Sequence, residues 1–279
     1  MLENSVSMKR NPILSDYMAK NLKKCQEKEL AILLEIDRIC RKHHINYWLD
    51  CGTLLGAVRH QSFIPWDDDV DIAMPLGDYH RFIEIAPSEL PSHLFLQTPQ
   101  SDPSVNWPIT KIRDLNSFYV EGRDDMKADY HKGLYVDIFP FTDYPKLPLG
   151  VIHRLTKGIC KSYCILHLQH YYSLRSFLEF FYFGAKYILF KAIWEILTAC
   201  CKKGNYISNI VINNGYGIVH SRETIYPLTT ISFAGYEFSS PADPVQYLTD
   251  LYGDFQTIPP VEKRKIHALF YNPELIPQS

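Results

Sequence analysis

Three observations predict an α+β fold for this 279-residue chain. Residues 20–44 place Leu30, Leu33, Leu34, Ile36 and Cys40 at helical spacing among Lys, Glu and Arg, as an amphipathic helix does. In Asp69-Val70-Asp71-Ile72 the period changes to two, which puts Val70 and Ile72 toward a core and Asp69 and Asp71 together on the other face of a strand. Further short apolar runs between Leu94 and Phe139 read as strands, so helix and sheet share one folding unit.

A short strand, Tyr47 to Cys51, follows the first helix and ends at Gly52. Residues 53–59 then form a short helix whose start lies at that glycine, a natural anion seat because the first backbone N–H groups lack acceptors and the helix dipole favours negative charge. After the acidic strand a helix is expected at 78–85, with strands at 94–97, 109–113, 117–121 and 133–139. From Pro148 to about Asn205 the pattern is helical, apolar and aromatic, and 215–235 reads as turns and short strands. A helix at 243–252 is followed by Gly253-Asp254-Phe255 and Ile258-Pro259-Pro260. The organisation expected is a core at 20–147, a helical insert or lobe at 148–205, and a C-terminal part at 206–279 that completes the core.

The chemistry concentrates in Trp66-Asp67-Asp68-Asp69-Val70-Asp71-Ile72, where four carboxylates fall within five residues. Such a cluster is self-repelling unless a cation lies among the oxygens. Two oxygens on one face of a strand suit a hard ion, Mg2+ or Mn2+, that also touches phosphate, so Asp69 and Asp71 are the leading metal ligands. Asp67 and Asp68 read equally well as loop or capping residues. An EF-hand is excluded, because the central Gly and the closing Glu are missing. Asp137 sits alone in the apolar run Gly133 to Pro140 and needs a positive partner if buried; it reads as a third metal ligand or a base, the alternative being an Arg-paired structural carboxylate.

Hydrophobic content of 46% and charged content of 22% are those of a globular protein, and a net charge of -2 offers no basic surface for nucleic acid. Residues 1–28 lack an apolar signal core, and seven cysteines at uneven spacing suit a reducing compartment, so the cytoplasm is expected.

Taken together, Trp48 to His60 and Phe63 to Ile72 resemble the LicD family, phosphocholine transferases of bacterial surface glycans related to the fukutin group. Gly133 to Pro140 is similar to the family's third-carboxylate segment, and Tyr247 to Phe255 with Pro259-Pro260 to its C-terminal signature. The resemblance runs from about residue 30 to 270 and is thinnest over 148–205. It implies a nucleotidyltransferase-type mixed sheet flanked by helices, a CDP-activated alcohol donor and a glycan or lipid-linked glycan acceptor. It also implies phosphate binding at Gly52 and Thr53, and Mg2+ held by Asp69, Asp71 and Asp137. Arg59, one turn beyond the seat, is then a candidate phosphate clamp, with an ion pair to the Asp cluster as its alternative. Lys111 and Arg113 alternate on one strand face and either reach the donor or balance charge; His60 reads as a structural neighbour; Trp66 and Trp107 pack, or stack on a base or choline. Competing functions are transfer of the nucleotide itself to a small hydroxylated acceptor, and nucleotide or glycan binding without catalysis.

Residues 176–200 are aromatic but interrupted by Glu179, Lys186, Lys191 and Glu195, which argues against a membrane span. A core helix of the lobe is the first expectation, and a helix lying on the inner face of the cytoplasmic membrane the second. Cys160, Cys164 and His167 share a helix face, with His170 and Cys200-Cys201 further on, but their spacing matches no compact zinc set, and buried apolar packing is the preferred reading.

Overall fold

The computed structural model describes residues 12–105, 108–122, 124, 126–167 and 173–275. Helix α1 (Pro12–His43) lays Ile32, Leu33, Ile36, Ile39 and Cys40 against the core, and its last turn carries Arg41, Lys42 and His43, where the helix dipole favours cations. Strand β1 (Trp48–Leu49) leads directly into α2 (Cys51–His60). Strand β2 (Val70–Pro75), helix α3 (Leu76–Glu89) and strands β3 (Leu94–Gln97), β4 (Thr110–Asp114), β5 (Phe118–Glu121) and β6 (Tyr135–Pro145) follow.

After β6 the chain makes a hairpin of two helices, α4 (Leu149–His167) and α5 (Leu174–Cys200), then returns as β7 (Lys203–Asn209) and β8 (His220–Ser221). It ends with α6 (Arg222–Ile225), β9 (Thr229–Phe233), β10 (Tyr236–Ser240), α7 (Pro244–Tyr252) and β11 (Ala268–Asn272). The main sheet is mixed and seven-stranded, with path β1-β2-β6-β4-β3; β7 adds to β6 and β8 to β7. Its one parallel pair is β2 with β6, and the remaining pairs are antiparallel. The α+β class is therefore that of the molecule.

Strand β6 is long because it serves two partners on one edge. Residues Tyr135 to Ile138 pair with β4, and Phe141 to Pro145 pair with β7. The α4–α5 hairpin is thus an excursion between two strands that meet in the sheet. Trp48, Val70, Ile72, Ile112, Val136 and Ile138 are buried in the sheet's core, with Leu33, Ile36, Phe82, Tyr247 and Leu248 brought in by helices. A smaller cluster of Tyr119, Leu134, Tyr135, Ala268 and Tyr271 closes the end where β5 pairs with β11.

The core-helix expectation for 176–200 is not met. Only Trp194 of α5 is buried, because α5 packs along α4 and the end of β6 on one face while nothing among the described residues covers the other.

Candidate active site

The parallel pairing of β2 with β6 sets Asp71 directly opposite Asp137, and the antiparallel pairing of β4 with β6 sets Lys111 opposite Asp137 from the other side. Register partners project to the same face, so the two carboxylates stand side by side across about 5 Å of strand spacing. Asp69 precedes Asp71 by two residues and contributes to its environment. Burial, then the charges of Asp69, Asp137, Asp50 and Asp67, hold the Asp71 carboxyl well above its ordinary range. Asp71 and Asp137 are register partners, and Asp69, just before β2, is near enough for its charge to raise both carboxyls.

One cation serves this group from within the sheet. Lys111 Nζ lies 2.8 Å from Asp137 Oδ1 and 3.6 Å from Glu121 Oε1, and 3.3 Å above the Tyr135 ring. The Tyr135 hydroxyl donates to Glu121. Burial raises the Asp137 carboxyl to about 6 even with Lys111 beside it. Glu121 goes the other way: despite its burial, Lys111 and the Tyr135 hydroxyl hold it below its usual range. Asp137 is therefore paired with a lysine, not with the arginine considered as its alternative partner.

Helix α2 abuts the same carboxylates. Asp50 caps it, its side chain accepting from Cys51 N at 2.7 Å and from the Tyr247 hydroxyl at 2.8 Å, while Tyr247 in turn accepts from Trp48 Nε1 at 3.2 Å. Cys51 takes φ 43°, in the left-handed region that L-residues rarely occupy, to swing β1 into the helix. Thr53 accepts the Asp71 N–H on its Oγ1 at 2.8 Å, which pins the helix start to β2 beside the acidic face. A Cβ on Gly52 would stand 2.8 Å from Asp67 Oδ2, so only glycine lets that carboxylate approach the helix start.

The four neighbouring Asp residues divide their work. Asp68 is fully buried and accepts the N–H groups of His267 at 2.9 Å and Ala268 at 2.8 Å, which fastens the beginning of β11. His267 Nδ1 lies 3.1 Å from Asp69 Oδ2, and bonds to Asp68 and Asp69 raise the imidazole to about 11, so the ring is a cation here. Burial, with the charges of Asp69 and Asp68 nearby, raises the Asp67 carboxyl strongly.

The carboxylates of Asp67, Asp69, Asp71 and Asp137 lie near enough for their charges to act on one another, a concentration of negative charge with few cations to balance it. Carboxyl oxygens of Asp67, Asp68 and Asp69 and a ring nitrogen of His267 also come within 4.8 Å of one another. Of these, Asp68 is already bound through both oxygens, which leaves the neighbouring aspartates as the ligands that fit.

Other residues singled out from the sequence lie at the margin. Arg59 donates from Nε to His60 Nε2 at 3.1 Å and from a terminal nitrogen to the Phe255 carbonyl at 3.0 Å, tying α2 to the segment after α7. Arg113 is buried, donating to Gln97 Oε1 at 2.6 Å and the Gly133 carbonyl at 2.7 Å. It shares a face with Lys111, as alternation requires, and braces the frame. Trp66 is half-buried with the Arg264 guanidinium 4.1 Å over its ring. Trp107 and His170 lie outside the described residues. His167 is engaged by the Tyr163 carbonyl at 2.8 Å, and no zinc-like cluster forms from Cys160, Cys164 and His167 among the described residues.

Sequence reading missed Glu121, His267 and Glu29. Glu29 lies on the buried face of α1 under the acidic run, with neither oxygen hydrogen-bonded among the described residues. Its position one turn from Leu33 on an apolar stripe was the available signal, since a carboxylate has no other reason to be there.

A mixed sheet with a carboxylate pair on its central parallel strands, set against a Gly-Thr helix start, defines a domain built for phosphate group transfer. The family model that matches residues 44–153, from before β1 into the first turn of α4, carries the description LicD/FKTN/FKRP, nucleotidyltransferase domain. It is 26% identical over 271 residues to the lipopolysaccharide cholinephosphotransferase LicD of Haemophilus influenzae, covering 88% of this chain and 96% of that protein. An uncharacterized protein of Rickettsia typhi is 40% identical over 77 residues, 26% of this chain and 25% of the relative. Human ribitol 5-phosphate transferase FKRP is 33% identical over 108 residues, 37% of this chain and 17% of FKRP.

Proposed function

We propose that the protein transfers a phospho-alcohol, phosphocholine first among the choices, from a CDP-activated donor to a hydroxyl of a cell-surface glycan of lipopolysaccharide or teichoic acid type. The reaction depends on Mg2+ or Mn2+ held by Asp69, Asp71 and Asp137. The observation that carries this reading is the register pairing of Asp71 with Asp137 beside the α2 start. Similarity to the Haemophilus enzyme along most of both chains supports the choice of choline, and similarity to FKRP keeps ribitol as the second choice.

A divalent ion bound there supplies Lewis-acid stabilisation of the charge that develops on the diphosphate as its bridging bond breaks. The chain's own groups do the rest. N–H groups in the first turn of α2, at Gly52 and Thr53, have no acceptor within the helix and point toward an incoming phosphate. Arg59 is held at its other end by Phe255 and offers its remaining guanidinium nitrogen to a phosphate oxygen. Lys111 pairs with one oxygen of Asp137 and leaves the other for the ion. Lys111 keeps that carboxylate charged and aimed.

Label placement tests the reading. With CDP-choline labelled in the choline half, label appears on the glycan and requires Mg2+ or Mn2+; parallel donors carrying ethanolamine, ribitol or glycerol rank the head group. Label that reaches the acceptor only from the cytidine half would replace this reading with nucleotide transfer.

A further inference from the structure

The α4–α5 hairpin leaves a large apolar surface in water. Along α5, Tyr187, Phe190, Ile193, Trp194 and Leu197 form the inner stripe that meets α4 and β6. The opposite side is equally apolar: Leu174 is 76% exposed, Ile188 69%, Tyr182 63%, Ile196 61%, and Phe177, Leu178, Phe181 and Leu189 lie between them. Beside these rings α5 carries Arg175, Glu179, Lys186, Lys191 and Glu195, four of them paired i to i+4 along the helix, and its outer apolar stripe is not in a core. An exposed patch of this extent marks an interaction surface. No helix among the described residues is long and apolar enough to cross a membrane.

Charge decides the occupant. Helix α4 carries Arg154, Lys157 and Lys161 and no Asp or Glu, within a chain whose net charge is -2. These three and Lys186 of α5 line the cleft beside the exposed rings, next to Tyr182, Leu189 and Phe190. Two copies pairing through this face would bring like charges together. A bilayer surface offers the complement to both halves: acyl chains for the rings and anionic headgroups for the ammonium and guanidinium groups, which reach out from their own apolar stems.

The geometry points to the α4–α5 hairpin as a docking surface for an anionic lipid bilayer, with α5 lying in the plane of the interface and the Arg154–Lys157–Lys161–Lys186 cluster against the headgroup phosphates. This surface is built apart from the transfer site and does not depend on which group is transferred.

Sedimentation of the full chain with vesicles tests it, using phosphatidylcholine alone against phosphatidylcholine mixed with phosphatidylglycerol. The chain pellets with the anionic vesicles and stays in the supernatant with the neutral ones. Lys157→Glu with Lys161→Glu lowers anionic binding at least about tenfold, and Phe177→Ser with Phe181→Ser and Ile188→Ser abolishes it. Unchanged circular dichroism of both variants shows that the fold is intact. Transfer to a water-soluble glycan, measured separately, reports on the catalytic reading alone. Equal sedimentation with both vesicle types, none with either, or a stable dimer in sedimentation velocity that the serine variant converts to monomer would each overturn the proposal.

Discussion

Lys111→Met removes the ammonium that holds the site's carboxylates together and keeps nearly the whole length of the side chain. In the native protein Nζ lies 2.8 Å from Asp137 and 3.6 Å from Glu121, over the Tyr135 ring, on a side chain only 5% exposed. Deleting one member of a buried ion pair and leaving its partner typically costs about 3–5 kcal/mol. Proton uptake by Asp137 relieves part of that, so about 3 kcal/mol is the expected loss at neutral pH or above. The pH dependence follows from the direction of the shift. The Asp137 carboxyl is raised in the folded protein, to about 6 with Lys111 present, and moves higher without it. The folded state therefore retains a proton that the unfolded chain has released, and stability falls as pH rises through that interval. Near about pH 5 Asp137 is largely protonated in both proteins and only the loss of the Glu121 pairing remains; near about pH 8 the full deficit appears. Urea unfolding in the presence of a chelator, at both pH values, measures it. A deficit below about 1 kcal/mol at the higher pH, or one equal at both, would refute the electrostatic account of this pair.

Gly52→Ala places a methyl group 2.8 Å from Asp67 Oδ2, so turnover should fall at least about tenfold with a stability loss of about 1–3 kcal/mol; wild-type turnover would show that Asp67 is free to move aside. Tyr247→Phe strips the hydroxyl that joins Trp48 Nε1 to Asp50, leaving buried groups unpaired, and should lower the urea-derived stability by about 1–3 kcal/mol. Glu29→Leu replaces a buried carboxyl that burial and the charges of Asp68, Asp69, Asp67 and Asp71 push up, and should raise stability by about 1 kcal/mol or more. A destabilised leucine variant would mean that Glu29 is engaged by a bound ion or proton that the site needs.

Local pattern carried some of this site and could not carry the rest. Alternation through Asp69-Val70-Asp71-Ile72 depends only on the strand period, so Asp71 on β2 was legible from the sequence, while Asp69 lies just before the strand begins. The partnership of Asp71 with Asp137 joins residues far apart in the chain, and the register that creates it comes from the β2–β6 parallel pairing, which no local pattern states. Arg113 shows a second limit. Period two correctly puts it on the face of Lys111 but says nothing of depth, and the guanidinium is buried against Gln97 and Gly133. Helix α5 shows a third: hydropathy reveals how apolar a segment is and not what covers it, so a helix that reads as core lies open. His267 enters the site only because Asp68 binds the backbone at the start of β11, a contact nearly two hundred residues distant in sequence.

Divalent-ion binding to the isolated protein tests the arrangement most directly. Calorimetric titration of Mg2+ and Mn2+ into the wild type, Asp71→Asn and Asp137→Asn, each shown by circular dichroism to be folded, separates the cross-strand pair from the rest of the acidic run. The account predicts saturable binding by the wild type that each asparagine variant weakens at least about tenfold, since a hard cation loses a charged oxygen ligand. Equal affinity in all three proteins would contradict it.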